Sequence, residues 1–147
     1  MATYSFLDVN ASLVGPGGAI NIGNGAANAE EGITITPADD IDKMAIGADG
    51  TPMHSLTANK SGVVVVTLLK TSPVNQKLMA LYNVQTASPD VHGRNTLSLV
   101  TKLGQDVVTC RSVAFKKAPD LTYATEGGTN SWEFNAGIID RALGSGY

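Results

Sequence analysis

The sequence predicts a mainly β protein, with two packed antiparallel sheets forming a partial barrel or sandwich and one flanking α-helix. Three observations carry that expectation. Segments that alternate apolar and polar residues recur along the chain, as at Leu7, Val9, Ala11 and Leu13 and again at Leu97, Leu99, Thr101 and Leu103, which is the period of a half-buried strand. Sixteen glycines, a charged fraction of 16% and abundant Val, Ile and Thr suit strands broken by turns. A single segment, from Pro73 to Gln85, carries its apolar residues at helical spacing. With 147 residues the chain is long enough to bury one core, so residues 1–147 are read as one domain.

Taken in order, residues Tyr4 to Val14 alternate with Leu7, Val9, Ala11 and Leu13 on one face and Asp8, Asn10 and Ser12 on the other. Gly15-Pro16-Gly17-Gly18 ends that strand, and Ala19 to Ile22 returns as the second arm of a hairpin. Gly23 to Glu31 is small and polar and reads as a flexible surface loop. Gly32 to Thr36 alternates until Pro37 stops it. From Asp39 to Asn59 the chain places Asp39, Asp40 and Asp42 beside Met44, Ile46, Met53 and Leu56, with Asp49-Gly50 as a strong turn dipeptide. That pattern predicts a projecting loop or hairpin whose apolar residues await a partner.

Val63 to Leu69 is apolar on both faces apart from Thr67, which predicts a strand covered on both sides. In the next segment, Ser72 stands as N-cap and Pro73 at the first helical position. Val74, Leu78, Leu81 and Tyr82 form a stripe, so a helix is expected over 73–85, ending before Ser88-Pro89. A hairpin follows, with Leu97 to Leu103 turning at Gly104-Gln105-Asp106 into Val107 to Lys117. The last strand, Ser131 to Arg141, places Trp132, Phe134, Ala136 and Ile138 on one face and Glu133, Asn135, Ile139 and Arg141 on the other. Ala142 to Tyr147 reads as a small, flexible tail.

Composition narrows the function. The formal net charge is −3 and the ten Lys and Arg are scattered, without the basic stripe that a sequence-independent grip on DNA phosphates uses. Cys110 is the only cysteine, which rules out an intrachain disulfide and suits folding in a reducing cytoplasm. The N-terminal residues lack a cationic start and an apolar core, unlike a secretory signal. The longest apolar run is far short of the about 20 residues that span a bilayer, so no membrane association is expected.

No constellation of residues calls for catalysis, a cofactor or a metal. His54 and His92 sit in turn-rich stretches without a second ligand at i+4. Cys110 lies mid-strand, where a buried inert thiol is expected. Asp39, Asp40 and Asp42 lack the spacing and the terminal Glu of a calcium loop. Neither Gly15-Pro16-Gly17-Gly18 nor Gly23-Asn24-Gly25 is followed by the Lys-Ser/Thr of a phosphate loop. A structural role fits better. Long strands with unpaired edges invite pairing with further copies, and a closed ring of protomers would remove those edges.

Several stretches resemble a known family. Met53-His54-Ser55-Leu56-Thr57-Ala58-Asn59-Lys60-Ser61-Gly62, then Leu69-Lys70-Thr71-Ser72-Pro73-Val74-Asn75, and later Ala114-Phe115-Lys116-Lys117-Ala118-Pro119-Asp120-Leu121 with Trp132-Glu133-Phe134 are similar to tail tube proteins of contractile-tailed bacteriophages. The likeness spans nearly the whole chain. It implies a pair of packed sheets with one helix, hexameric rings stacked into a hollow tube, and a long loop reaching the neighbouring ring. That loop role falls on 39–59, with Asp39, Asp40, Asp42, Met44, Ile46, Met53 and Leu56 as inter-ring contacts. Asp8, Asn10, Ser12, Ser98 and Lys102 become candidates for lining the channel. The resemblance also implies the tail sheath, baseplate hub and tape measure protein as partners. It places the protein in the virion tail after synthesis in the host cytoplasm, and has DNA pass through the channel without specific binding. Six copies at −3 each give a ring of −18, which disfavours phosphate binding. The alternatives are another tail component of the same fold, such as a tube initiator, a terminator or a bacteriocin or secretion tube, and a carbohydrate-binding β-sandwich or small hydrolase, for which only Trp132 and a few scattered Tyr and Phe residues are on offer.

Overall fold

The alternating segments form nine antiparallel strands, and the helical stripe forms one α-helix. The structure is a computed structural model that describes residues 3–25 and 28–144, without the side chains of 28–31. Strand β1 (Val9–Gly15) turns through Pro16-Gly17 into β2 (Gly18–Asn21). After β3 (Asn28–Pro37) come β4 (Asp42–Ile46), β5 (Pro52–Leu56) and β6 (Gly62–Leu69). Helix α1 (Val74–Thr86) precedes β7 (Asn95–Thr101), β8 (Val107–Lys117) and β9 (Thr129–Ala142).

Seven strands join one sheet in the order β2-β1-β7-β8-β9-β6-β3, while β4 and β5 form a second, two-stranded sheet. All pairings are antiparallel. The large sheet curls without closing into a barrel. Phe6, just before β1, lies beside Gly32 of β3, although those strands stand near opposite ends of the order. The layer facing the concave side therefore comes from the curl itself and from α1, because every residue of the small sheet is exposed.

Inward residues follow strand parity. Ala11 and Leu13 of β1, Val64, Val66 and Leu68 of β6, and Trp132, Phe134 and Ala136 of β9 share one core cluster with Val74, Leu78 and Leu81 of the helix. Each large apolar side chain so buried contributes about 1.5–3 kcal/mol. Phe115 is the aromatic hub: its ring centroid lies 4.9 Å from Phe134, 5.6 Å from Tyr82 and 6.0 Å from Trp132. The helix presents Val74, Leu78, Leu81 and Gln85 inward, one continuous stripe at helical spacing.

Several expectations are corrected. The first strand begins at Val9, and Phe6–Asp8 is a short 3-10 turn. Ser5 Oγ accepts the Leu7 amide at 3.2 Å, a local bond that competes with the sheet ladder, and Leu7 is left 76% exposed. The polar stretch 23–31 is a loop only in part, since β3 starts at Asn28; residues 26–27 lie outside the described residues. Val63 and Val65 are half-buried, so β6 is fully covered on one face alone. The helix begins one residue after Pro73, with Val74 N donating to Ser72 Oγ at 3.3 Å. Of the tail, Ala142 completes β9 and Gly144 N donates to Asp106 Oδ1 at 2.8 Å; 145–147 lie outside the described residues.

The expected faces of β9 are reversed at its end: Ile139 is buried and Ile138 is 38% exposed. A bulge in β8 explains the switch. Arg111 and Ser112 together oppose one residue of β7, because Asn95 pairs with Val113 and Leu97 with Cys110. Ser112 adopts φ +54°, the left-handed conformation a bulge can require. Cys110 and Ile139 point inward as a pair, as do Val113 and Ala136, and the residues between them face out on both strands.

Candidate functional site

Two surfaces stand out: the hairpin β4–β5 and the outward face of β1 and β7. In the hairpin, Asp42 pairs with Leu56, Met44 with His54 and Ile46 with Pro52. Paired residues share a face, so Met44, Ile46, Pro52 and Leu56 form one apolar side, with Asp42 and His54 among them. Met53 lies on the other side with Lys43, Ala45 and Ser55. Met44, Ile46, Met53 and Leu56 are all more than half exposed, Leu56 reaching 85%. His54 Nδ1 lies 2.9 Å from Asp42 Oδ2, bracing the two strands.

The hairpin tip is built from its own sequence. Gly50 adopts φ +87°, which a glycine accommodates without strain. Asp49 Oδ1 accepts the Thr51 amide at 3.0 Å, and hydrogen bonds from Thr51 hold the Asp49 carboxyl below its ordinary value. At the base, Asn59 Nδ2 donates to Asp39 Oδ2 at 2.7 Å. Asn59 Oδ1 in turn accepts from Ser61 N at 3.0 Å and Ser61 Oγ at 2.6 Å. A groove of about 870 Å³ opens here, bounded by residues 37–41, 59–61 and 139–141.

The second surface is mixed: exposed Val14 and Val100 lie beside the uncharged polar residues Asn10, Ser12 and Ser98. Ser12 pairs with both Asn21 and Ser98, and Asn10 pairs with Val100, so Asn10, Ser12 and Ser98 share one face. They line a shallow depression of about 320 Å³ with Asn21 and Val100. Ser98 continues to Thr109 and Thr109 to Asp140, and Asp140 Oδ2 accepts from Arg111 Nη2 at 2.6 Å. Arg111 of β8 and Asp140 of β9 thus offset one another. Asp8 and Lys102 lie beyond the strand ends, where Asp8 Oδ2 accepts the Leu103 amide at 2.8 Å. Asn21 and Thr109 were missed from the sequence because only strand register reveals that they share this face.

The other candidate residues are dispersed. His92 sits in an exposed turn, far in sequence from His54. Among the described residues no three His, Cys, Asp or Glu gather as metal ligands. Cys110 is buried, and burial pushes its thiol above the ordinary value. Trp132 is buried as well and donates its Nε1 to Asn75 Oδ1 at 3.0 Å, so it offers no platform for stacking a sugar ring.

Comparison with known proteins gives the chain a family and a fold. The family model described as bacteriophage PhiTE tail tube protein matches residues 1–144. No curated protein sequence matches significantly. Among solved structures, the chain is similar to the sheath/tube terminator of the PVC extracellular contractile injection system in its extended state, with a TM-score of 0.64 at 10% identity over 97% of this chain and 98% of that one. A chain of the PVC sheath-tube complex superposes with a TM-score of 0.58 at 10% identity, covering 96% and 92%. The tube-terminating cap of the anti-feeding prophage gives 0.53 at 8% identity, covering 97% and 94%. At these identities the likeness is one of fold.

Proposed function

The chain belongs to the bacteriophage PhiTE tail tube protein family, and from that premise we propose that it is the repeating protomer of a phage tail tube, assembling into hexameric rings that stack around a channel for DNA. The observation that carries this reading is the pair of uncapped features at the margins of the fold. The main sheet ends in β2 on one side and β3 on the other, and unpaired edges are templates for pairing with another chain. Heterologous contact between such edges closes into a ring when the rotation per protomer allows it. The exposed hairpin then supplies the contact between rings through Met44, Ile46 and Leu56, with Met53 on its other side. Asp39, Asp40 and Asp42 surround its base.

The uncharged face of Asn10, Ser12 and Ser98 suits a channel wall, with Asp8 and Lys102 at its rim. DNA affinity grows with each phosphate neutralised by a cation, and an uncharged patch neutralises none. The tail sheath is a further partner, in keeping with the sheath-tube complex among the similar structures; the baseplate hub and tape measure protein follow from the family. The role is structural, and the virion tail is its place.

Negative-stain electron microscopy of the purified protein across a concentration series, with its solution mass measured in parallel, tests the reading. Hollow tubes or stacked rings are expected, and a chain that stays monomeric even on a pre-formed tail end would overturn it. A second reading, a terminator of the tube, is favoured by the likeness to two terminating proteins. Copy number in the intact particle separates the two: many copies along the tail support the tube, and a single terminal ring supports the terminator.

A further inference from the structure

We infer that Asp39, Asn59 and Ser61 form a latch that fixes the direction in which the β4–β5 hairpin leaves the main sheet; its role in assembly rests on the reading of that hairpin as the contact between rings. Strands β3 and β6 continue into β4 and β5, so the hairpin stands on a two-stranded stalk. The ladder changes register within that stalk. Pro37 pairs with Gly62, and Ala38 N donates to Ser61 O at 3.0 Å. Above the change, Thr57 N donates to Ile41 O at 2.8 Å and Asp42 pairs with Leu56. Between these points one strand has Asp39 and Asp40 while the other has Ala58, Asn59 and Lys60. The unequal count lies where the ladder is interrupted between the two sheets, and like a bulge it bends and twists the pair that contains it.

Packing does not set the angle of that bend. The groove of about 870 Å³ lies along the stalk, and the hairpin residues are exposed on both faces. The body reaches the stalk at the lower edge of the bulge, where Ile139 N donates to Lys60 O at 2.9 Å. Across the bulge the strands are joined by one side-chain hydrogen bond, from Asn59 to Asp39, while two hydrogen bonds from Ser61 on its own strand hold the Asn59 side chain in place. One carboxamide therefore fixes both strands at the point where the backbone ladder gives way. A contact between rings needs every hairpin to arrive in one orientation, and preorganisation of that kind lowers the entropic cost of docking.

The test uses the charge of the pair. Asn59→Asp keeps the acceptor for Ser61 but sets a carboxylate against Asp39, turning attraction into repulsion. Asp39→Asn/Asn59→Asp restores a donor facing an acceptor with the original net charge. Spin labels at Ala48→Cys on the tip and Lys77→Cys on the helix, in a Cys110→Ala background, report the hairpin direction by electron–electron distance measurement. We expect a narrow distribution in the parent, a broad one in Asn59→Asp and a narrow one again in the double exchange. Tube elongation should slow about tenfold in the single variant, as for a lost charge-assisted hydrogen bond, and recover in the double. An unchanged distribution in Asn59→Asp, or one that stays broad in the double exchange, overturns the latch. A broadened hairpin with undiminished elongation would leave the latch standing and overturn the hairpin's role between rings.

Discussion

Gln85 and Asn95 exchange two side-chain hydrogen bonds in the buried interior, Gln85 Nε2 to Asn95 Oδ1 at 2.8 Å and Asn95 Nδ2 to Gln85 Oε1 at 2.6 Å. Gln85 Nε2 also donates to Pro16 O at 2.9 Å. One amide pair thus ties the last turn of the helix to β7 and to the β1–β2 turn. Both side chains are essentially inaccessible, so removing one strands the other without water. Gln85→Ala should cost about 2–3 kcal/mol, from an orphaned amide and the space left behind. Urea denaturation measures it, and a loss under about 0.5 kcal/mol, the range of an ordinary surface change, would show the pair to be incidental.

Gly15 is fitted to the same pair. A Cβ at this position would lie 1.8 Å from Asn95 Oδ1 and 2.8 Å from Asn95 Cγ, distances no side chain tolerates. Gly15→Ala should therefore displace Asn95 and cost more than about 3 kcal/mol, the upper range for overpacking. Asn95→Ala removes the clashing atoms, leaving Asn95 Cα at 3.2 Å. The double variant should consequently be more stable than the sum of the single losses predicts, a coupling expected of touching residues. Additive losses in denaturation would reject this account.

What the sequence disclosed follows from which interactions are local. The hairpin turns at Pro16-Gly17 and Asp49-Gly50, the helical stripe of Val74, Leu78 and Leu81, and the parity of Leu97 and Trp132 all lie in short stretches of chain. Gln85 ended the predicted helix as a polar residue, and nothing near it announces Asn95 as a buried partner. The switch at Ile138 and Ile139 was illegible for a similar reason: its cause is Ser112 on a different strand. Asn10 and Ser12 share a face by parity alone, yet the separation of Met53 from Met44 and Ile46 depends on the register of β4 against β5. Alternation gives each strand its two faces; pairing decides which faces meet.

Cys110 should be chemically silent in the folded protein. Burial raises its thiol, with Arg141 opposing the shift and Asp140 adding to it. In the unfolded chain a thiol ionises near about 8.5, whereas burial moves the folded one's ionisation to higher pH. The folded value is the higher one, so its contribution is complete below the unfolded value and is lost as pH rises through the folded value. A thiol-reactive disulfide reagent at pH 8 should label Cys110 only upon unfolding. Urea midpoints should decline with alkaline pH more steeply in the parent than in Cys110→Ala, and rapid native-state labelling would contradict this.

The channel-wall assignment predicts how added charge behaves. Ser12 and Ser98 pair across β1 and β7 on the outward face, so lysines there add cations without touching the core. Tubes of Ser12→Lys/Ser98→Lys should retain double-stranded DNA that parent tubes release, with retention falling steeply as salt rises. Co-sedimentation of DNA with assembled tubes at two salt concentrations measures it. Equal retention by parent and variant would place this face away from the channel.

The hairpin offers the most direct separation of assembly from folding. Met44, Ile46 and Leu56 share one face and touch no core cluster, so Met44→Ser/Ile46→Ser/Leu56→Ser should shift folding stability by no more than about 0.5 kcal/mol per residue. In a stacked tube the same side chains would be covered, each contributing about 1.5–3 kcal/mol when fully buried. That loss recurs at every protomer of a ring, so the triple variant should form no tubes at concentrations where the parent does. Met53→Ser changes the opposite face and should slow elongation without abolishing it. Electron microscopy with sedimentation gives the comparison. Tubes from the triple variant at the parent's rate would remove the hairpin from the ring contact, because nothing else about the fold would have been disturbed.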